Sequence, residues 1–359
     1  MTRRLLEGSE AMAEAAVAAG CRFFAGYPMT PFTELLEAFA VRLPEQGGVC
    51  INAESELEAV GMAWGALATG ARAATGSTGQ GLSLMQESFS EITRAELPLV
   101  IFNMARGQGD YYQATRGGGH GDYRHIVLAP ADTPEAVELT QLAFDLADRW
   151  RNPVLLYGDY LTAHTVESVE VVPLEFPPLP DKPWALDGSL GGTGRSRTVN
   201  PLGVDKEKQG IDPERLWRRL QAKHEQIERE EVRVETGFLD DAELVVVAFG
   251  SLGRFARYVV GGLREQGAKV GFVRPITLWP FPSEVVSAAA ERASCVAVLE
   301  QNAGQMIDDV RLAVLGRAPV VPIGEISTDY SGFGIGGILD PDFLRGRIEG
   351  ALATLETAP

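Results

Sequence analysis

The 359-residue chain carries 49 acidic against 32 basic side chains, a formal net charge of −17, which argues against nucleic acid as a partner. Its 45% apolar content supplies a real core, and the length suits two or three domains. Cys21, Cys50 and Cys295 are too few and too widely spaced for a disulfide scaffold, an iron–sulfur motif or a zinc site, so any redox metal is expected on another chain.

Residues 8–165 alternate helix and strand. Ser9 is a candidate N-cap for an Ala-rich helix that stops at Gly20. Arg22–Tyr27 is a short buried strand ending in the turn Pro28-Met29-Thr30-Pro31, where two prolines fix the backbone around the Thr30 hydroxyl. A helix from Phe32 to Leu43 and a strand from Gly48 to Ala53 lead to Glu54-Ser55-Glu56-Leu57-Glu58, which opens a helix made mostly of small residues. Glu54 and Glu58 suit the ordinary preference for acids in a first helical turn, whereas Glu56 is the candidate for bonding a heterocycle. Ala71–Gly76 is the next strand. Ser77-Thr78-Gly79-Gln80-Gly81 precedes a helix over Leu82–Leu97 and offers backbone N–H groups to an anion, although it lacks the Lys of a Walker A motif. Pro98–Met104 and Pro153–Tyr157 are continuous apolar runs, as expected of strands covered on both faces. Arg106 lies just past the first of them, where a guanidinium can clamp a carboxylate.

Residues 166–239 change character. Val172 to Gly210 is rich in Pro and Gly and reads as an extended connector. Asp212-Pro213 opens a charged helix to about Val232, expected as a solvated arm. A second α/β unit follows, with strands at Leu244–Phe249, Lys269–Arg274, Cys295–Leu299 and Val320–Ile323, a tight turn at Gly250–Gly253 and a helix over Arg254–Glu265. Neither Gly250–Gly253 nor Gly332–Gly337 has the strand, G-x-G-x-x-G and helix order of a dinucleotide site. His120, His125, His164 and His224 form no i, i+4 pair and argue against a metal site. No apolar run reaches the length of a membrane span and Met1–Glu7 lacks a signal core, so a cytoplasmic location is expected and no membrane is a partner.

Alternating strands and helices predict a parallel α/β sheet, and in such sheets ligands bind at the carboxyl ends of strands. Thr30, Glu56, Ser77-Thr78-Gly79 and Arg106 all fall at such ends. These motifs, with Gln113–Pro130, Lys182-Pro183-Trp184-Ala185-Leu186, Ala248–Arg257 and Glu300–Met306, resemble the α subunit of the 2-oxoacid:ferredoxin oxidoreductases. Gln113–Pro130 is most similar to the branched-chain type that acts on 3-methyl-2-oxobutanoate, and a 2-oxoglutarate type is the other choice. The resemblance implies a pyrimidine-binding domain over 1–165, a connector with a charged helix over 166–239 and a transketolase C-terminal-like domain over 240–359. It implies oxidative decarboxylation of a 2-oxo acid with CoA to acyl-CoA, with electrons passed to ferredoxin. Glu56 takes the position of the carboxylate that bonds N1′ of thiamine diphosphate, Thr78 and Gly79 would contact the cofactor, and Thr30 and Arg106 would hold the substrate carboxylate.

The chain has no Gly-Asp-Gly, since Gly121-Asp122 and Gly158-Asp159 are each followed by tyrosine. The resemblance therefore assigns the diphosphate site, Mg²⁺ and a 4Fe–4S cluster to a β subunit, with γ and ferredoxin-like subunits as further members. One departure stands out. Relatives carry a Gly-Pro-containing loop after the Arg-Gly, whereas here Arg106-Gly107 passes directly to Gln108-Gly109-Asp110-Tyr111-Tyr112-Gln113. A subunit of a thiamine enzyme that needs no ferredoxin, or a scaffold that has lost the cofactor, are the alternatives.

Overall fold

The computed structural model describes residues 3–179, 181–186, 188, 201–205, 210–327 and 340–356. Its first part runs β1 (Arg4–Glu7), α1 (Gly8–Ala18), β2 (Phe23–Gly26), α2 (Thr33–Glu45), β3 (Val49–Asn52), α3 (Glu56–Ala68), β4 (Ala73–Ser77), α4 (Gly79–Leu84) and α5 (Gln86–Arg94). It continues with β5 (Val100–Ala105), a tight turn at Gln108–Asp110, α6 (Tyr111–Thr115), β6 (Ile126–Leu128), α7 (Thr133–Trp150), β7 (Val154–Asp159), α8 (Tyr160–His164) and β8 (Val166–Val169). Then come β9 (Val204–Asp205), β10 (Gly210–Ile211), α9 (Pro213–Glu230), β11 (Val234–Gly237), β12 (Leu244–Val247), α10 (Gly250–Glu265), β13 (Val270–Pro275) and β14 (Thr277–Trp279). The last elements are α11 (Ser283–Ala290), β15 (Cys295–Val298), α12 (Met306–Val314), β16 (Val320–Pro322) and α13 (Pro341–Glu356).

Two larger sheets organise these elements. The first has seven strands in the order β14-β6-β7-β5-β4-β2-β3, and the second has five in the order β11-β13-β12-β15-β16. Each is parallel except at one edge. β14 joins β6 antiparallel, and β11 joins β13 antiparallel. The first sheet therefore borrows an edge strand from a segment that lies between two strands of the second. The chain is α/β, as expected, and both cores follow from continuous apolar strands such as Val100–Ala105, buried throughout. Phe24 stacks on Phe39 at 3.9 Å between ring centroids, and Phe102 meets Phe39 edge-on at 5.7 Å. Among the described residues no helix is long and apolar enough to cross a membrane.

Several local expectations are corrected. Ser9 lies inside α1 rather than capping it, because its hydroxyl donates to the Ala163 carbonyl at 3.1 Å and ties α1 to α8. The Leu82–Leu97 helix is two pieces, and its first turn reaches back to Gly79. The Gly250–Gly253 turn is the first turn of α10, entered at Gly250 with φ +58°. The helix after Asp212 is capped as read, with Asp212 accepting from the Arg215 amide at 3.0 Å, yet it is no solvated arm. Leu216, Leu220, His224 and Ile227 are buried. Lys223 donates to Glu96 at 3.2 Å and to the Arg151 carbonyl at 3.0 Å, and burial brings its pKa down to about 8. The Gly332–Gly337 run, and the connector apart from its first and last parts, lie outside the described residues.

An ion-pair cluster joins β13 of the second sheet to α7 of the first. Arg274 of β13 is 5% exposed; it gives two hydrogen bonds to Glu135 of α7, at 2.8 and 2.9 Å, and one to Glu235 of β11 at 2.6 Å. Removing a buried partner strands the opposite charges. Arg274→Met should therefore destabilise the chain by about 3 kcal/mol, read as an earlier unfolding transition in urea, while a surface change such as Arg218→Met should leave that transition in place.

Candidate active site at the carboxyl edge of the first sheet

β4, β2 and β3 are neighbours in the sheet, and α3 crosses from the end of β3 over β2 to pack on β4. That crossover places the first residue of α3 beside the last residue of β4. The Ser77 hydroxyl donates to Oε1 of Glu56 at 3.0 Å. Of the three acids near this helix start, Glu54 and Glu58 are exposed and Glu56 is 3% exposed. Among the described residues Ser77 is the hydrogen-bond donor to the Glu56 carboxylate. A carboxylate this far from water requires compensation, and a single neutral hydroxyl gives little of it.

The turn after β4 is shaped around that carboxylate. A Cβ added at Gly81 would stand 2.0 Å from the Ser77 hydroxyl and 2.2 Å from Glu56 Oε1, so only glycine fits. Thr78 is fully buried, and among the described residues its hydroxyl has no hydrogen-bond partner. Gly79 opens α4 beside the loop after β5: a Cβ added there would stand 3.1 Å from Asp110 Oδ1, and its carbonyl accepts from Gln113 Nε2 at 3.1 Å.

Arg106 and Thr30 are also brought together, though not through the threonine hydroxyl. Arg106 Nε donates to the Thr30 carbonyl at 3.0 Å, and Nη1 donates to Gln80 Oε1 at 3.2 Å. The guanidinium thus bridges the turn after β2 and the first turn of α4. Thr30 itself is exposed.

Sequence reading set Ser77 at this edge without a role there, and missed Gly81 and Asp110 as members of it. Asp110 accepts from Gln113 Nε2 at 2.7 Å and Asn103 Nδ2 at 3.3 Å, and burial pushes its carboxyl up from the usual range. Its own amide donates to the Tyr157 hydroxyl at 3.2 Å. The i, i+3 spacing of Asp110 and Gln113 was the available signal. The partners of the neighbouring loop come from the second sheet. Gln108 donates to the Phe249 carbonyl at 3.2 Å and accepts from the Gln301 amide at 3.0 Å; Asn302 donates to the Gln108 carbonyl at 2.9 Å. Gln305 donates to the Gly109 carbonyl and accepts from the Tyr112 amide, both at 2.9 Å. Glu300 accepts from the Gln305, Met306 and Ile307 amides and so caps α12. The Lys182–Leu186 motif anchors the far end of α3, with the Leu186 amide donating to the Ala68 carbonyl at 2.8 Å.

Comparison with known proteins accounts for most of the chain. Residues 14–185 match the family described as pyruvate flavodoxin/ferredoxin oxidoreductase, thiamine diphosphate-binding, and residues 242–329 match pyruvate:ferredoxin oxidoreductase core domain II. The ketoisovalerate oxidoreductase subunit VorB of Methanothermobacter thermautotrophicus is 39% identical over 328 residues, 87% of this chain and 90% of that one. The 2-oxoglutarate synthase subunit KorA of Archaeoglobus fulgidus is 36% identical, over 86% of this chain and 91% of that one. In fold, the chain is similar to the 2-oxoglutarate:ferredoxin oxidoreductase from Magnetococcus marinus, solved with 2-oxoglutarate, coenzyme A and succinyl-CoA bound. The TM-score is 0.84 at 22% identity, covering 97% of this chain and 65% of that longer polypeptide. A split-gene transketolase, solved as an inactive beta4 tetramer, matches with a TM-score of 0.59 at 16% identity. With thiamine-diphosphate-binding and core-domain-II segments in order, and a relative 39% identical along nine-tenths of its length, the chain belongs to the subunits of the 2-oxoacid:ferredoxin oxidoreductases.

Proposed function

We propose that this chain is the α-type subunit that supplies the pyrimidine side of a thiamine diphosphate site, in an enzyme that decarboxylates a 2-oxo acid with CoA and passes electrons to ferredoxin. The observation that carries this reading is the buried Glu56 carboxylate, given one hydrogen bond by Ser77 and faced by a glycine that no other residue can replace. The unpartnered buried hydroxyl of Thr78 fits a ligand contact as well. Bound thiamine diphosphate supplies the nucleophilic carbon and the electron sink for decarboxylation. Glu56 shares a proton with the pyrimidine N1′, and Ser77 fixes the orientation in which it does so. Thr78 and Gly79 line the ring's approach, and the absence of a side chain at Gly81 keeps the carboxylate accessible. Arg106, positioned by the Thr30 carbonyl and Gln80, holds the substrate carboxylate, the group shared by every 2-oxo acid.

The substrate is a 2-oxo acid of the 3-methyl-2-oxobutanoate or 2-oxoglutarate class, in keeping with what the relatives' names say of those proteins. The domains are taken as 1–165, 166–239 and 240–359, the first holding the pyrimidine side. The rest of the site lies on a β subunit bearing the diphosphate pocket, Mg²⁺ and a 4Fe–4S cluster, joined by γ and ferredoxin-like subunits in the cytoplasm. Leu57 and Met62 of α3 and Leu84 of α4 are exposed apolar residues on two helices that touch each other, and we place the β subunit against these helices.

Glu56→Gln keeps a hydrogen bond but cannot exchange the proton. In the assembled enzyme its turnover should fall by about a hundredfold or more, with subunit assembly unchanged. Near-normal turnover in Glu56→Gln alongside an inactive Glu54→Gln would overturn the assignment. Gly81→Ala places a methyl group against Glu56 and Ser77, so titration of the assembled enzyme should show thiamine diphosphate affinity reduced by at least about tenfold. Arg106→Lys keeps the charge and loses the planar fork. Steady-state kinetics should show a raised KM for each 2-oxo acid, with the order of preference among them retained.

A further inference from the structure

The parallel ladder between β12 and β15 is completed by a side chain from the other sheet. Its last regular rung runs from the Leu299 amide to the Val247 carbonyl at 2.9 Å. The next rung, two residues further along each strand, would join the Gln301 amide to the Phe249 carbonyl. The side-chain amide of Gln108 stands in that rung, accepting from the Gln301 amide at 3.0 Å and donating to the Phe249 carbonyl at 3.2 Å. Gln108 is 1% exposed, and its own carbonyl accepts from Asn302 Nδ2 at 2.9 Å. A primary amide can accept and donate at once, as a peptide group does. A residue of the loop after β5 is thus built into the carboxyl edge of the second sheet, the place where parallel sheets otherwise receive ligands. Gly107 alone separates Gln108 from Arg106. It is extended, with φ −179° and ψ −160°, so the step between its neighbours has no slack to give. Its carbonyl accepts from the Tyr157 hydroxyl at 3.3 Å, and a Cβ on it would stand 3.1 Å from Gln301 Oε1. On the far side of that step the Arg106 guanidinium reaches the Thr30 carbonyl and Gln80.

We infer that Gln108 is a positioning residue for Arg106, and that the rung it completes in the second sheet sets the guanidinium where it meets the substrate carboxylate. This rests on the reading of Arg106 as the substrate-carboxylate site. The physical argument is one of reach. A side-chain amide held between two strands cannot move far without lengthening one of its two bonds past hydrogen-bond range. An extended two-residue step passes a displacement on to its other end instead of absorbing it. A bidentate grip on a carboxylate needs planar alignment and is lost over small displacements. The short loop after Arg106 therefore makes affinity for the 2-oxo acid depend on how the two sheets are docked together. Cofactor binding lies outside that dependence, because Glu56 and Ser77 belong to α3 and β4.

The test is steady-state kinetics of the assembled enzyme with a varied 2-oxo acid, for the parent, Gln108→Met, Arg106→Lys and the double variant. Methionine keeps the length of glutamine and removes both bonds of the rung. Gln108→Met should raise KM for the 2-oxo acid about tenfold, with kcat within about threefold of the parent. KM for CoA and the affinity for thiamine diphosphate should not change. In the double variant KM should rise no further than in the worse single variant, because both changes act on one contact. A parental KM in Gln108→Met, or single effects that multiply in the double variant, would overturn this inference alone as long as Arg106→Lys still raises KM. An Arg106→Lys enzyme with parental KM would overturn the carboxylate-site reading beneath it. If Gln108→Met does not assemble, Asn302→Asp serves instead. It keeps the oxygen that accepts from the Gly304 amide at 2.7 Å and loses the donor to the Gln108 carbonyl. The same rise in KM with kcat retained supports the inference, and a parental KM in Asn302→Asp counts against it.

Discussion

The hydrogen bond from Ser77 to Glu56 spans the feature on which the site depends, a carboxylate pulled out of water at the end of a parallel sheet. Placing it there requires the strand order β4-β2-β3, because only a crossover helix starting beyond β3 and packing back on β4 brings the two residues together. The crossover demands closeness. Ala59 and Ala63 are buried on α3, which packs on β2 and β4. Larger side chains at those positions would lift α3 from the sheet and with it Glu56 from Ser77. The small-residue composition of α3 is thus a packing requirement before it is a chemical one.

The second sheet is needed for a different reason. The segment from Arg106 to Gln113 leaves β5 without a strand or long helix to fix it. Its carbonyls and amides are instead satisfied by Gln301, Asn302 and Gln305, which follow β15, as buried backbone groups must be. Glu300 holds the last of these by accepting from the Gln305 amide as it caps α12. A Cβ on Gly107 would meet the Gln301 side chain at 3.1 Å, so the loop and its cradle are fitted to each other. A short loop after Arg106 is therefore a rigid one here. Its geometry is set by the far domain as much as by β5.

What the sequence disclosed and what it withheld divide along the same line. Apolar runs of the right length marked the core strands of both sheets, and Pro and Gly marked their turns, because those signals are local. Glu56 was legible from its place between a strand end and a helix of small residues. The short strands β6 and β14 were not, since three-residue strands gain their identity from pairing, here with each other across about 150 residues of chain. The amphipathic α9 was misread for a related reason. Its many charges lie outward, while Leu216, Leu220 and Ile227 form a narrow buried stripe, and its Lys223 is half-buried beside Glu96. Composition averages over a helix, whereas burial acts on one face of it.

Asp110 and Glu56 show how two acids at one sheet edge can serve opposite ends. Asp110 accepts from Gln113 of α6 and Asn103 of β5, so its oxygens are committed to holding the loop against the strand. Glu56 has Ser77, and beside it the Thr78 hydroxyl is buried with nothing to bond. A protein at equilibrium tolerates such incomplete satisfaction only where another contribution offsets it. The carboxylate held by Gln113 and Asn103 behaves as scaffold. The unsaturated one keeps hydrogen-bonding capacity in reserve at a place shaped by glycine, and that reserve separates a binding surface from a merely well-packed one.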